Sequence, residues 1–392
     1  MSTLPLIGEA ERRRRLVRRH HLTASGPDAT SVARDLVALH SSDPLSPHLS
    51  LRGRIDGFER DHLAAALVED RSLWRLHAMR RTLFVVTIED ATTMRSAVVG
   101  DIAAAERRRL EAWVAEATGR RRVRAWLTKV RDATLTALAG QAPARTDSLS
   151  ERVPELATPL TVGSGRWSRT APLGSRLLPL LAMEGAIVRA GPAGSWRSSR
   201  YSWALAREWF DVREPPSPEE GRARLVERYV ARFGPVTFED LRWWTGLGVR
   251  PLRAAIDASA PERVALDDGQ EGLVATGDLE PTPEPATTVV ALLPGLDPTP
   301  MGWKGRGWYL GGLSDALFDR NGNVGPTVWV DGRIVGGWAQ RADGRVAHRL
   351  LVDVGAEATA RVAEEAALLE GWLGEERITP RFRTPLEREL AA

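Results

Sequence analysis

The sequence predicts an α+β fold in which helical stretches alternate with pairs of short strands. Residues 8–70 carry amphipathic helix patterns, and strand-like residues follow at 73–86. Helices followed by two strands return after residue 146, and a third helical group starts near residue 221. From residue 288 onward, strands alternate with glycine turns. These patterns predict three helical modules of one plan, followed by a small β-rich domain.

The first module is expected at residues 1–140. A basic helix is expected at residues 9–21, and a second at residues 30–39, where apolar residues recur at a spacing of three or four. A third helix is expected at residues 58–68. Residues 82–87 have the β-branched and aromatic content of a strand. Helices followed by a β hairpin are the order of a winged-helix (helix-turn-helix) module. A strongly charged helical linker is predicted at residues 88–139.

A second winged-helix module is predicted at residues 141–216, and a third at residues 217–280. In the second, Asp147 is the expected N-cap of a helix over residues 148–155, and Gly-Pro-rich residues separate two wing strands. The predicted core helix and wing strands span residues 177–184, 187–190 and 201–204. In the third module, Thr237 is expected to cap a helix over residues 238–245, and a second helix is expected over residues 251–258.

Residues 281–392 are predicted to form a small β-barrel-like domain with one helix. Its strands are expected at residues 288–293, 327–330, 333–338 and 345–352. Asp331-Gly332 and Asp343-Gly344 are strong signals for two-residue hairpin turns. One amphipathic helix, over residues 357–373, would close this domain.

Composition excludes several classes of protein. The 392 residues contain no cysteine, so a disulfide scaffold, a thiolate metal site and a cysteine nucleophile are excluded. No apolar run approaches the roughly 18 residues of a membrane span, and no signal peptide is evident, so we expect a cytoplasmic protein. The seven histidines are scattered and no nucleotide-binding glycine motif occurs, so neither a metal nor a cofactor is expected.

Basic residues are almost all arginine. Only Lys129 and Lys304 among the 54 basic residues are lysine, while the net charge is only +3. The arginine clusters within residues 12–19, 107–109 and 120–124 are compatible with solvated helix faces. The alternative is a phosphate-binding surface, since arginine binds phosphate in bidentate geometry.

Residues 38–54 are the most chemically informative stretch. His40, Ser42 and Asp43 fall within four residues, directly before Pro44. A helix that ends before this proline would place His40 and Asp43 on one face, where they could position and deprotonate a water molecule. The alternative is a polar helix terminus with Ser42 and Asp43 as turn residues. The alternation at residues 49–52 predicts an extended segment, and His48 is interpreted as a loop or positioning residue.

Several ordered motifs resemble the AlkZ/YcaQ-type DNA glycosylases, which are built from tandem winged helices. Residues 39–52 resemble the family's signature loop, and residues 79–84 resemble its Met-Arg-Gly-Thr-Leu-His motif. Residues 233–246 resemble its third helix-turn-helix, and residues 293–297 with 326–333 resemble its C-terminal domain. The resemblance covers residues 10–375.

The chain departs from this family at the implied active site. Characterised members carry Gln-x-Gln or Gln-x-Asp where this chain has His40 and Ser42. Arg81 replaces the family's glycine, and Phe84 stands where histidine is common. The resemblance implies that His40 activates water, that Ser42 holds it, and that Asp43 orients the histidine or stabilises positive charge on the sugar.

The implied function is a monofunctional DNA glycosylase that excises alkylated or crosslinked purines from double-stranded DNA. It would act as a monomer without an obligate protein partner and, lacking a lysine near the site, without lyase activity. Asp297 is a candidate cleft residue or, alternatively, a cap of the following loop. The residues expected to contact DNA are Arg52, Arg54, Arg80, Arg81, Thr82, Lys304 and Arg306.

Two other classes of protein remain open at this point. The substituted glutamines are compatible with a non-catalytic winged-helix DNA-binding protein, either a transcriptional regulator or a lesion sensor. A regulator would normally be a dimer on a two-fold operator, whereas three modules in one chain favour a monomer. A small-molecule-binding protein is supported only by the 14 tryptophans, of which Trp243 and Trp244 have helical spacing typical of a core.

Overall fold

In a computed structural model that describes residues 4–163, 165, 168–211 and 214–392, the chain divides into two units. One unit contains the N-terminal residues up to Leu63 together with residues 222–392, and the other contains residues 64–221. The N-terminal part of the chain thus belongs to the same unit as its C-terminal half.

The N-terminal part of the chain, up to the start of the second unit, is helical. Its helices and short strands are Leu6–Ile7, Glu9–Arg19, Ala29–Asp35, Leu39–His40, Leu45–Arg52 and Arg60–Val68. Two of the three predicted helices agree closely with these bounds. The predicted helix over residues 30–39 ends early, because Val37 has a left-handed φ of 62° that a helix cannot accommodate.

Three helices and a hairpin follow the second unit in sequence. They are Pro218–Phe233, Phe238–Thr245, Val249–Ser259, Glu262–Leu266 and Glu271–Val274. Thr237 and Asp240 form the predicted cap as a reciprocal capping box. The N-terminal strand Leu6–Ile7 pairs parallel with Glu262–Leu266, and Ile7, Val264, Leu266 and Val274 form a buried cluster. The start of the chain is therefore part of this sheet.

The C-terminal region contains a four-stranded antiparallel sheet. Its strands, in spatial as well as chain order, are Val290–Leu293, Thr327–Val330, Arg333–Gln340 and Val346–Leu350. Its helices are Gly307–Leu310, Ser314–Leu317, Gly355–Leu373 and Pro385–Ala391. Asp331 and Gly332 both have positive φ, as the predicted tight turn requires. The predicted barrel is wrong, because the first and last strands do not pair and the sheet is an open meander.

The second unit begins with the antiparallel hairpin Leu73–His77 and Leu83–Thr87. A helical region follows, comprising Ile88–Met94, Gly100–Thr118 and Val123–Leu138, with a π-helical turn at Arg95–Val99. The predicted strand and charged helical region are thus both present. The Arg95–Val99 turn joins the first two of these helices directly.

The rest of the second unit contains short strands around one core helix. Its elements are Ala144–Arg145, Thr146–Arg152, Pro154–Ala157, Pro159–Val162, Arg169–Pro172, Gly174–Met183, Ile187–Pro192, Tyr201–Leu205 and Ala206–Trp209. Tyr201–Leu205 lies between Ala144–Arg145 and Ile187–Pro192 in one sheet, which includes both predicted wing strands. Asp147 is not the predicted N-cap, because the helix already begins at Thr146 after Arg145. Over the described residues, no helix is long and apolar enough to cross a membrane.

Candidate active site

The loop that carries His40, Ser42 and Asp43 joins a short strand to a helix. His40 ends the strand Leu39–His40, and the helix Leu45–Arg52 begins directly after Pro44. The predicted helical turn with His40 and Asp43 on one face is therefore wrong. Proline favours the start of a helix because it has no N–H and a fixed φ, so this chain continues after Pro44 in a new helix instead of ending one before it.

Both carboxylate oxygens of Asp43 accept hydrogen bonds from the backbone. Oδ1 accepts from the N–H of Leu45 at 3.0 Å, and Oδ2 accepts from the N–H of Arg381 at 2.8 Å. Burial raises the pKa of Asp43, and these two donors together with the charge of Arg381 oppose that rise. The carboxylate of Asp43, only 5% exposed, is thus fixed in one orientation by two chain segments.

His40 and Ser42 are joined by a long hydrogen bond. The N–H of Ser42 donates to Nδ1 of His40 at 3.4 Å. In a neutral imidazole that accepts at Nδ1, the proton lies on Nε2, which then donates. Such a histidine can hold a water oxygen through Nε2–H. His40 can act as a base if the long hydrogen bond from Ser42 to Nδ1 breaks and Nδ1 takes a proton from water.

Arg381 is a component of this site that the sequence did not predict. Besides its backbone N–H on Asp43, its guanidinium Nη1 donates to the carbonyl of Ser42 at 3.1 Å. The side chain of Arg381 is exposed, so one residue brings both loop support and positive charge to the site. Arg381 lies beyond the motifs that carry the family resemblance, and no local pattern singles it out.

The helix after the loop is anchored on the turn at residues 295–297. Ser46 donates through Oγ to the carbonyl of Gly295 at 2.7 Å, and Ser50 donates to Oδ2 of Asp297 at 2.6 Å. His48 is buried in this helix, so its interpretation as a loop residue is wrong. Because this helix is anchored, it fixes the position at which the candidate loop ends.

Arg54 and Asp297 form a fully buried ion pair, each 0% exposed. Nη2 and Nη1 of Arg54 lie 2.7 and 2.8 Å from the two carboxylate oxygens. The prediction that Arg54 contacts DNA is wrong, because its guanidinium is enclosed in the core. Asp297 is likewise not a cleft residue; it also accepts from the N–H of Thr299 at 2.9 Å, which confirms the alternative of a loop cap.

Arg52 is engaged within the same unit. It lies in the helix Leu45–Arg52, not on the predicted extended segment, and it pairs with Glu365 of the long C-terminal helix. Its side chain is only 11% exposed. Arg52 is therefore paired and largely covered, and its contact with phosphate stays a prediction.

Arg80, Arg81 and Thr82 lie at the tip of the first hairpin of the second unit. Arg80 and Arg81 both adopt left-handed backbone, with φ of 53° and 61°. This conformation suits glycine, the residue that the family has at the position of Arg81. Arg81 is 46% exposed, and its Nη1 donates to both carboxylate oxygens of Glu106 at 2.9 Å. Contact of this tip with DNA stays a prediction.

Lys304 and Arg306 lie in a loop that a buried aspartate holds in place. Oδ1 of Asp240 accepts from the N–H groups of Lys304 and Gly305 at 2.8 and 2.9 Å. The Lys304 side chain is 57% exposed and lies 3.6 Å from Glu239. Contact of Lys304 with DNA stays a prediction.

Arg306 is bound more tightly than Lys304. Its guanidinium lies over the ring of Trp243 at 5.0 Å, and its Nε donates to the carbonyl of Trp303. Trp244 is buried and stacks on Tyr229, as a core residue would. A role of Arg306 in DNA contact stays a prediction.

His20 lies beside the buried ion pair and predicts how stability depends on pH. Its pKa is held well below the ordinary value by burial and by the charge of Arg54. Below about pH 6.5 the unfolded chain binds a proton that the folded protein rejects. Acidification should therefore lower the free energy of unfolding, by up to about 1.4 kcal/mol per pH unit from this group. Urea unfolding at pH 7.5, 6.5 and 5.5 measures the slope.

The variant His20→Gln should flatten that slope, because glutamine does not titrate. His62→Gln is the matched control, since His62 is exposed. An unchanged pH slope in His20→Gln would assign the acid sensitivity to other groups.

Comparisons with known proteins place this fold among the DNA glycosylases. The DNA glycosylase AlkZ of Streptomyces sahachiroi matches it with a TM-score of 0.69 and 19% sequence identity, covering 93% of this chain and 97% of that one. Residues 33–372 match the model of the family described as DNA glycosylase AlkZ-like. The chain therefore belongs to the AlkZ-like DNA glycosylase family, which confirms the resemblance found in its motifs. No curated protein matches the sequence.

Proposed function

We propose that this protein is a monofunctional DNA glycosylase that hydrolyses the N-glycosidic bond of N7- or N3-alkylated, or crosslinked, purines in duplex DNA. The observation that carries the proposal is the clamped loop of residues 40–43 in a member of a DNA glycosylase family. The loop offers a titratable imidazole, a hydroxyl and a fixed carboxylate within four residues. These are the groups that a hydrolytic reaction needs to handle water.

In the proposed reaction, the bond between C1′ of the sugar and the purine nitrogen is replaced by a bond between C1′ and a water oxygen. An alkylated purine carries positive charge and leaves as a neutral base when the bond between C1′ and nitrogen breaks. Water attacks C1′ and loses a proton, which passes to His40 or, where His40 only holds the water, to bulk solvent. Ser42 supplies a further hydrogen bond. The Asp43 carboxylate stabilises the positive charge that develops on the sugar.

The architecture proposed for this reaction is three winged-helix modules at residues 1–140, 141–216 and 217–280, followed by the C-terminal domain. Binding of the duplex by a monomer is assigned to the arginine-bearing hairpin tip and to the Asp240-supported loop. The proposed DNA contacts are Arg80, Arg81, Thr82, Lys304 and Arg306. Lyase activity is not proposed, because the only lysines are Lys129 and Lys304.

The direct test is single-turnover excision from duplex DNA containing N7-methylguanine and, separately, a nitrogen-mustard crosslink. Abasic sites are revealed as strand breaks in hot alkali. We expect release by the wild type and a loss of at least about tenfold in His40→Ala, the lower end expected for a lost water-activating group. His40→Gln, which restores the family's residue, is the matched control and should retain more activity than His40→Ala.

The pH profile separates the two roles of His40. If His40 takes a proton, the wild-type rate falls as the imidazole is protonated and the His40→Gln rate does not. Excision that is equal in wild type and His40→Ala would move the site elsewhere. No excision from either substrate, with salt-dependent duplex binding intact, would instead support a non-catalytic DNA-binding protein.

A further inference from the structure

The sheet of the second unit contains a buried arginine at the wall of a cavity. Arg189 lies in the strand Ile187–Pro192 and is only 7% exposed. It lines a cavity of about 440 Å³ whose wall also includes His77, Tyr201 and Trp203. All of these residues belong to the second unit.

The contacts of Arg189 are to neutral groups. Its Nη2 lies 3.2 Å from Nδ1 of His77, and its guanidinium carbon lies 4.9 Å from the ring centroid of Trp203 and 5.8 Å from that of Tyr201. Its Nη1 is buried and has no hydrogen-bond partner among the described residues. No carboxylate of those residues forms an ion pair with it.

Charge around this cavity is positive. Arg75 places its guanidinium 4.9 Å from the same Tyr201 ring. Arg145 and Arg200 line the cavity as well, and the carboxylate of Asp147 is paired with Arg145 at 3.1 Å. Burial lowers the pKa of Arg189 to about 10, which still leaves it charged at neutral pH. Burial also lowers the pKa of His77 to about 3, so this histidine is neutral.

A buried charge without a counter-ion is expensive, and an anion in the cavity would compensate it. The planar guanidinium favours oxyanions, which it binds through paired N–H donors. Ser199 adds a hydroxyl group to the wall, whereas the hydroxyl of Ser175 already donates to the carbonyl of Pro172 at 2.7 Å. We propose that this cavity is a phosphate-binding site with Arg189 as its principal ligand.

Two sources can supply the phosphate: a phosphodiester of the DNA backbone or free phosphate. The binding needs no excision chemistry, so it is tested without a damaged substrate. The phosphate-binding test can therefore be interpreted even if the protein proves to have no glycosylase activity.

The first measurement is titration calorimetry of the full-length protein with inorganic phosphate, accompanied by thermal unfolding in phosphate and in chloride at equal ionic strength. We expect heat of binding and a rise in Tm of about 2–4 °C near ten times the Kd. Arg189→Met should abolish both effects. The matched control is Arg349→Met, which removes an exposed arginine paired with Glu389 and should leave both unchanged.

A second variant guards against failure of Arg189→Met to fold. Ala193→Leu fills the cavity from a half-buried wall position and leaves the charge of Arg189 in place. It should also lose phosphate binding. Absence of binding in the wild type, or binding that persists in both variants, would overturn the proposal.

An undamaged duplex then distinguishes the two sources. If the DNA backbone supplies the phosphate, duplex displaces inorganic phosphate, and Arg189→Met reduces the slope of log K against log salt by about one. If free phosphate is the ligand, inorganic phosphate still binds in the presence of saturating duplex, and the slope is unchanged. Either result supports the site and names its ligand.

Discussion

Arg54→Met is expected to lower the free energy of unfolding by about 3–5 kcal/mol, the usual cost of breaking a buried ion pair from one side. The variant leaves the Asp297 carboxylate in the core without its cation. It also removes donors from the carbonyls of His20 and Ser50 and from Thr299 Oγ1. Chemical denaturation with urea measures the loss, provided that the slope of the unfolding curve is unchanged.

The matched control for this prediction is an arginine in an exposed ion pair. Arg349→Met removes the partner of Glu389, where both side chains are about half exposed. The expected loss is below about 1 kcal/mol, because solvent screens exposed pairs. The double variant Arg54→Met/Asp297→Leu should recover part of the larger loss, since no uncompensated charge remains. Equal effects of Arg54→Met and Arg349→Met would contradict the structural role.

The sequence was a good guide wherever local chemistry determines an element. Thr237 and Asp240 form the capping box that the pattern predicts, and Asp331-Gly332 forms the predicted turn. The hairpins and the amphipathic helices have the expected places, because each exposes one polar face and leaves a readable period. The structure of such elements can be predicted from roughly ten to twenty consecutive residues.

The helix Leu45–Arg52 shows why local sequence patterns do not predict an element that is buried on all sides. All residues from Leu45 to Leu51 are buried, including Ser46, His48 and Ser50, and the two serines donate to distant partners. An element buried on every side has no polar face, so the alternation of Ser50 with Leu49 and Leu51 resembled that of a strand. The carbonyl and carboxylate that accept from these serines lie about 250 residues away in sequence.

Arginine function was the least predictable property. Arg52, Arg54 and Arg81 look alike in sequence, yet one is partly covered against Glu365, one is enclosed with Asp297 and one is at an exposed hairpin tip. What separates them is the carboxylate that each one meets, and those of Arg52 and Arg54 lie 313 and 243 residues away in sequence. Arg381 could not be predicted for the same reason, because it contacts the candidate loop from the C-terminal end of the chain.

Asp43→Asn is expected to reduce excision about 10²–10³-fold, the range for removing one group that stabilises charge in the transition state. An asparagine has only one oxygen, so its amide N–H₂ would face the N–H of either Leu45 or Arg381. One backbone donor loses its acceptor, which should also cost about 1–3 kcal/mol of stability. Single-turnover excision and duplex affinity are measured together, and the affinity should change little.

The dependence on pH identifies which effect of Asp43 matters. Because folding raises the pKa of Asp43, its contribution to stability is greatest below about pH 3.9 and is lost as the pH rises through its folded pKa. If the charged form serves catalysis, the wild-type rate rises over that same interval, and the Asp43→Asn rate stays flat. An Asp43→Asn variant with the wild-type pH profile would contradict a role for the carboxylate charge.

Arg381→Ala separates the charge of Asp43 from the support of its loop. The variant keeps the backbone N–H that binds Asp43 but removes the guanidinium that binds the Ser42 carbonyl. If the loop must be held for His40 to meet water, Arg381→Ala lowers the excision rate at neutral pH. Because the charge of Arg381 opposes the rise in the pKa of Asp43, the variant also shifts the acid side of the pH profile upward. If only the carboxylate charge matters, Arg381→Ala retains the wild-type rate and Asp43→Asn alone is impaired. The two variants together distinguish electrostatic stabilisation of the sugar by the Asp43 carboxylate from support of the loop that positions His40.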